Sequence, residues 1–266
     1  TSDRALLDGT PAAVPDLVGR AIGPADRAAA ASAWTPERRA RATEPGRTTP
    51  VPESGPINIF LTPTVGRLYF RNPATGWDHQ CSATTLASPR GRMILTAGRC
   101  LHSGPGGVFM EQLVYVPSHA YGEGPGPVYP LVTFRLHEKW AYEGHRQYNY
   151  GFGVLDTGLA HLIGGNHLMW NGGVGWIANV VGYQQVQSTC GTVNVRWVQV
   201  FVDRRPEAWC NLGGASYGGP MLRDFNTTTR IGYVNGIVGE ISSTGYSRSS
   251  YFTDEIWAIW RYVEGL

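Results

Sequence analysis

The chain has 266 residues and a formal net charge of +2 at pH 7. Its charges are scattered without a basic stripe, which argues against nucleic-acid binding, and no apolar run approaches the roughly 18 residues of a membrane span. Its 35 glycines and 18 prolines favour short strands joined by tight turns over long helices.

Residues 1–56 are rich in Ala, Arg and Pro and poor in β-branched and aromatic side chains. They are expected to form an arm or pro-segment without a core of its own. The opening Thr1-Ser2-Asp3-Arg4 lacks signal-peptide character, so in a secreted protein the signal would already have been removed. Within the arm, Thr35, Pro36 and Glu37 spell a helix start, as cap, first helical residue and first-turn acid. Glu44 to Pro56 has the composition of a linker.

From Ile57 onward, apolar runs alternate with turn signals. The strands predicted first are Gly66–Phe70, Met93–Thr96, Leu113–Val116, Tyr129–Leu136 and Gly151–Leu155. Glycine pairs at 164–165 and 172–173 then divide the chain, giving units at 57–163 and 164–266. The second unit offers strands at Gly175–Tyr183, Thr192–Val202, Met221–Arg223 and Ile231–Ser242. Val193, Val195 and Trp197 alternate, and the phase change at Val198 predicts a bulge. The chain closes on a helix capped by Thr253, with Ile256, Trp257, Ile259, Trp260 and Val263 on its apolar face. This order predicts an all-β protein of two small antiparallel barrels with a C-terminal helix.

Cys81, Cys100, Cys190 and Cys210 allow three disulfide pairings, and an even set of separated cysteines points to an oxidising, extracytoplasmic compartment. No Cys/His run has zinc-ligand spacing, and His161 and His167 lack a third ligand nearby, so neither a metal nor a cofactor is implied.

Three stretches carry the chemistry. Leu95-Thr-Ala-Gly-Arg-Cys100 resembles the Leu-Thr-Ala-Gly-His-Cys motif of trypsin-like serine proteases, and Gly214-Ala-Ser-Tyr-Gly-Gly-Pro220 resembles the glycine-rich motif around their catalytic serine. Tyr148-Asn149-Tyr150-Gly151 falls where these enzymes carry the catalytic aspartate. Trp34-Thr-Pro-Glu-Arg is similar to the pro-segment of secreted actinobacterial members, a group related to glutamate-specific endopeptidases. The resemblance implies two six-stranded barrels, two disulfides, and a cleft between the barrels.

It also implies that all three catalytic positions are replaced. Arg99 stands for the general-base histidine, yet a guanidinium has no lone pair with which to take a proton near neutral pH. Asn149 stands for the orienting aspartate and cannot balance an imidazolium. Tyr217 stands for the nucleophilic serine, with a bulkier phenol. In a serine protease, loss of the triad costs on the order of 10⁶ in turnover. The oxyanion-hole glycine is replaced by Ala215, and Ser216 matches a buried structural serine of relatives. Val238-Gly239-Glu240 resembles the strand lining the substrate cleft, where an extended peptide would pair by its main chain.

The leading expectation is therefore a secreted, inactive protease homologue, kept as a binding or regulatory module for a peptide, protein or small molecule in the cleft. The alternative is a non-proteolytic lyase, isomerase or cyclase, with Tyr217 as acid/base and Arg99 stabilising an anion. A structural or partner protein is favoured if Tyr217 and the arm fill the cleft.

Overall fold

The computed structural model describes residues 16–45, 52–58, 61–118, 126–184 and 186–266. In its first half the elements are β1 (Leu17–Ala21), α1 (Pro24–Ala33), α2 (Pro36–Arg41), β2 (Ile57–Asn58), β3 (Val65–Arg71), β4 (Asp78–Thr85), β5 (Met93–Thr96), β6 (Glu111–Pro117), β7 (Tyr129–His137), α3 (Glu138–Glu143) and β8 (Gly151–Leu155). In the second half come α4 (Ala160–Ile163), β9 (His167–Leu168), β10 (Ile177–Tyr183), β11 (Gln187–Val200), β12 (Asp203–Ala208), β13 (Pro220–Asn226), β14 (Ile231–Ile237), β15 (Glu240–Ile241), β16 (Ser247–Arg248) and α5 (Asp254–Glu264).

The first sheet runs β1-β7-β6-β3-β4-β5-β8, and pairing of β7 with β8 closes six of its strands into a barrel. Leu68, Phe70, Leu95, Phe134 and Phe152 are fully buried in it, each contributing about 1.5–3 kcal/mol by leaving water. The second sheet runs β15-β16-β12-β11-β10-β13-β14-β9, with β2 added to β11. Its two ends do not pair among the described residues, so the two-barrel expectation is met by closure in the first half alone. No helix among the described residues is long and apolar enough to cross a membrane.

Disulfides join Cys81 to Cys100 and Cys190 to Cys210, one in each half. In α5, Thr253 Oγ1 accepts the Glu255 amide, and Ile256, Ile259 and Val263 are buried. Trp257 stacks between Trp170 and Trp260 at centroid distances of 4.6 and 4.7 Å.

Of the strands six residues or longer, two have no counterpart in the predicted set. β4 reads Asp-His-Gln-Cys-Ser-Ala-Thr-Thr and offers no apolar run, because its inward Ser82, Thr84 and Thr85 satisfy their hydroxyls on backbone carbonyls instead. β12 carries charge at four of its six residues and is held by ion pairs described below. The bulge also moves. The register between β10 and β11 shifts around Ala178/Val180, opposite Thr192 with its positive φ of 54°, whereas Val198 pairs regularly with Arg205. Beyond Val195 the hairpin leaves the core, so burial no longer dictates its pattern.

The predicted arm divides. Residues 1–15 and 46–51 lie outside the described residues, whereas β1 pairs with β7 from Leu17↔His137 to Ala21↔Thr133. Thr35 Oγ1 caps α2 at the Arg38 amide. Ala30, Trp34 and Ala42 share a small cluster with Tyr69, Val114 and Val116 of the barrel, so the arm borrows a core.

Candidate functional site

The site is built where the turn before β13 meets the segment after β5 and the loop before β8. Gly213 and Gly218 have φ of 79° and 84°, which L-residues rarely adopt. A Cβ on Gly218 would collide with the Ser82 carbonyl and the Thr96 hydroxyl. The turn is pinned at its end by Gly218 N donating to Val238 O (2.8 Å) and Val238 N donating to Gly219 O (2.8 Å).

These constraints bring Arg99, Asn149 and Tyr217 together. Asn149 is buried, its Oδ1 accepting the Arg99 amide (3.0 Å) and its Nδ2 donating to Gly239 O (2.8 Å). Arg99 lays its guanidinium over the Tyr217 ring, Cζ 4.3 Å from the centroid, and 6.0 Å from that of Trp140. Its Nε is buried without a hydrogen-bond partner among the described residues. Tyr217 is 4% exposed. The cation thus meets the face of the phenol ring and contributes cation–π attraction, not a hydrogen bond to the hydroxyl.

The amides of the turn are committed. Residues Gly214–Ser216 form a single tight turn in which Tyr217 N donates to Gly214 O (3.1 Å) and Ser216 N to Gly213 O (3.1 Å). Ala215 N donates to Glu44 Oε2 of the arm at 3.1 Å. Ser216 is fully buried, and its hydroxyl donates to Gly213 O (2.5 Å). A nucleophilic role for Ser216 is incompatible with that burial. Glu44 carried no signal in the sequence: a lone acid in a linker-like stretch acquires its place only when the arm folds back.

The arm also lines this region on two sides. Thr43 pairs with β4, its amide donating to Asp78 O (3.1 Å) and its carbonyl accepting Gln80 N (2.7 Å). Further on, Asn211 N donates to Ser54 O (2.9 Å) and Ser54 Oγ to Gly245 O (2.5 Å).

Along the cleft strand, Gly239 N donates to Arg248 O (2.9 Å) while its carbonyl takes Asn149, so its main chain is already engaged. Glu240 does not face a ligand pocket. It accepts from Arg205 Nη2 (2.8 Å) and lies 3.4 Å from Arg146 and 3.5 Å from Arg248. Burial alone would raise its carboxyl pKa, but the Arg205 hydrogen bond and charge, aided by Arg146 and Arg248, bring it below the usual carboxylate value. Glu207, buried on β12, accepts from Arg196 (3.0 Å) and Arg248 (3.1 Å).

His102, one turn beyond Arg99, is 3% exposed. A bridge to Phe109 draws it in, its ring 4.7 Å from that of Phe109, and burial, with the charge of Arg20, lowers its pKa.

Asn149→Asp tests how closely the site is fitted to its replacements. The new carboxylate would turn an acceptor toward Gly239 O in place of a donor. Urea unfolding at neutral pH is expected to show a loss of about 1–3 kcal/mol. The loss should shrink on acidification, because only the protonated acid can donate to that carbonyl. Unchanged stability at neutral pH would contradict the geometry.

No protein-family model matches the chain, and no curated protein matches it. Solved structures do. A thermostable serine protease, AL20, from an extremophilic microorganism aligns with TM-score 0.67 and 25% identity over 77% of this chain and 98% of its own. The protease Anisep from Arthrobacter nicotinovorans gives 0.67 and 21% over 81% and 100%, and a Glu endopeptidase gives 0.61 and 15% over 81% and 99%. The chain therefore has the chymotrypsin-like fold of these trypsin-like serine proteases, with Arg99, Asn149 and Tyr217 converging in it.

Proposed function

We infer that this chain is a protease-fold protein that has given up serine-protease chemistry and serves as an extracellular binding or regulatory module. The observation that carries the reading is the Arg99 guanidinium stacked on Tyr217, where hydrolysis needs a base beside a nucleophile. The two amides suited to hold a developing oxyanion support it further. One is turned to Gly214 O and the other to the Glu44 carboxylate, which repels an anion. The second sheet is read as the counterpart of the second barrel, and the two disulfides fit an oxidising compartment.

The acid/base alternative needs Arg99 at the phenol hydroxyl, and the ring-face geometry does not favour it. The purified chain is expected to resist an active-site fluorophosphonate and to show no amidase activity. Labelling at Ser216 or Tyr217, or amidase activity that copurifies with the chain through every step, would overturn the reading. Turnover of any metabolite that Tyr217→Phe abolishes would revive the alternative.

A further inference from the structure

The second sheet carries a groove of about 560 Å³ on its solvent face, lined by none of the cleft residues. That volume lies within the range of small-molecule sites, about 300–1,000 Å³. The floor of the groove follows from alternation and register. Along β11, Thr192, Asn194 and Arg196 are exposed while Val193 and Val195 are buried. Continuing the pairing Val195↔Ala208↔Ser247 by one residue brings Asn194, Trp209 and Tyr246 side by side. The next row on the same face is Arg196, Glu207 and Arg248.

Trp209 is 51% exposed in this groove. A single exposed aromatic ring needs no functional account, but this one has polar neighbours that the chain leaves unused. Thr192 Oγ1, the Asn194 amide, Trp209 Nε1 and the Tyr246 hydroxyl make no hydrogen bond among the described residues. Thr192, Asn194 and Trp209 are exposed, and Tyr246 partly so, which keeps these groups open to a ligand. Thr192 also holds a φ of 54°, a left-handed conformation that β-branched residues almost never adopt and that collects at binding sites. The one charged lining residue is already neutralised. Arg196 donates twice to the buried Glu207 (3.2 and 3.0 Å) and lies over the Tyr246 ring, Cζ 4.7 Å from its centroid. The groove therefore offers an aromatic face and four neutral hydrogen-bonding groups, and no free charge.

We propose that this groove binds a neutral oligosaccharide built of pyranose rings with equatorial hydroxyls. Such a ring presents its axial C–H bonds as a flat apolar face, which stacks on the Trp209 indole. Its rim hydroxyls both donate and accept, and they meet Thr192 and Asn194 from β11 and Tyr246 from the segment before β16. Charge matching rules against other occupants. A carboxylate or phosphate would find the only cation taken by Glu207, and an ammonium would find no free anion. A purely apolar molecule would strip water from the four polar groups without replacing it. The site shares no residue with the cleft and is independent of the function inferred there.

The test uses the full chain with cellotriose as probe, followed by calorimetry and by NMR of the indole N–H signals and the amides of residues 192–196. One saturable site is expected, with a Kd of about 1 mM or tighter, a shift of the Trp209 indole signal, and no loss of affinity on adding salt. Trp209→Ala should weaken binding at least about tenfold, and Trp209→Phe, which keeps a stacking face, by less. Asn194→Ala should weaken it about tenfold. These variants change exposed side chains, so the circular dichroism should stay native. Sorbitol, which has the hydroxyls without a ring face, and adenosine, whose stacking face is an aromatic base, should each bind at least about tenfold more weakly than cellotriose. No saturable binding of cellotriose by the natively folded chain would overturn the proposal. So would binding that Trp209→Ala or Asn194→Ala leaves intact, that leaves the Trp209 indole signal unmoved, that added salt suppresses, or that sorbitol or adenosine matches.

Discussion

Glu240→Ala is expected to destabilise the chain by about 2–3 kcal/mol. Arg205 is only 1% exposed, and its closest anion is Glu240, at 2.8 Å. Breaking a fully buried pair costs about 3–5 kcal/mol, chiefly because the surviving charge has no compensation. Glu240 keeps a fifth of its side chain in water, which places the expectation below that range. Arg205 already holds its Nε without a partner among the described residues, so little remains to absorb the loss. Denaturant unfolding at neutral pH reads the effect directly. Adding Arg205→Met should recover most of it, since two apolar groups leave no orphaned charge. A double variant as unstable as the single one would show that Glu240 acts otherwise. The pH dependence has a definite sign. The folded carboxyl is held below its unfolded value of about 4.3, so its contribution is complete above that pH and disappears as pH falls through the folded value. Parent and variant should therefore converge in acid.

The same charges explain what sequence patterning could and could not reveal. Strands β5 and β8 are buried along their whole length, and β5 and β8 were bounded correctly from apolar runs alone. β12 escaped because Arg205 and Glu207, whose character signals a solvated loop, are buried against Glu240 and Arg248. β4 escaped because hydroxyls did the inward packing. At the centre, the motifs around Arg99 and Tyr217 placed those residues within reach of each other, since glycine-dependent turns tolerate few alternatives. They did not convey that the guanidinium would lie on the ring face, because that depends on χ angles and on Trp140 from a distant helix. Nor could any local pattern give the Glu44–Ala215 bond, whose partners are 171 residues apart. Long-range pairing of this kind follows from how the arm is anchored.

That anchoring rests on Trp34, and Trp34→Ala is expected to release it. The indole is 1% exposed, 5.4 Å from the Tyr69 ring, covered by Arg38 at 4.0 Å, and donates to Gln112 O. Truncating a buried tryptophan to alanine costs about 3–5 kcal/mol. The first barrel has a closed core of its own, so this loss should appear as local opening of residues 17–45, not as global unfolding. Arg38 then holds Asp78 through two short hydrogen bonds (2.7 and 2.6 Å) on a helix that has lost its footing, and Thr43 and Glu44 lie immediately beyond it. Hydrogen exchange at Ala215 N–H is therefore expected to accelerate by about 100-fold or more, the equivalent of roughly 3 kcal/mol, while amides of β5 and β8 keep their protection. Exchange at Ala215 that does not change would mean that Glu44 is held by Thr43 and β4 without Trp34. Parallel loss of protection in β5 and β8 would mean that the arm is integral to the barrel. Separating these outcomes decides whether the cleft amide is closed by a detachable segment or by a fixed part of the fold.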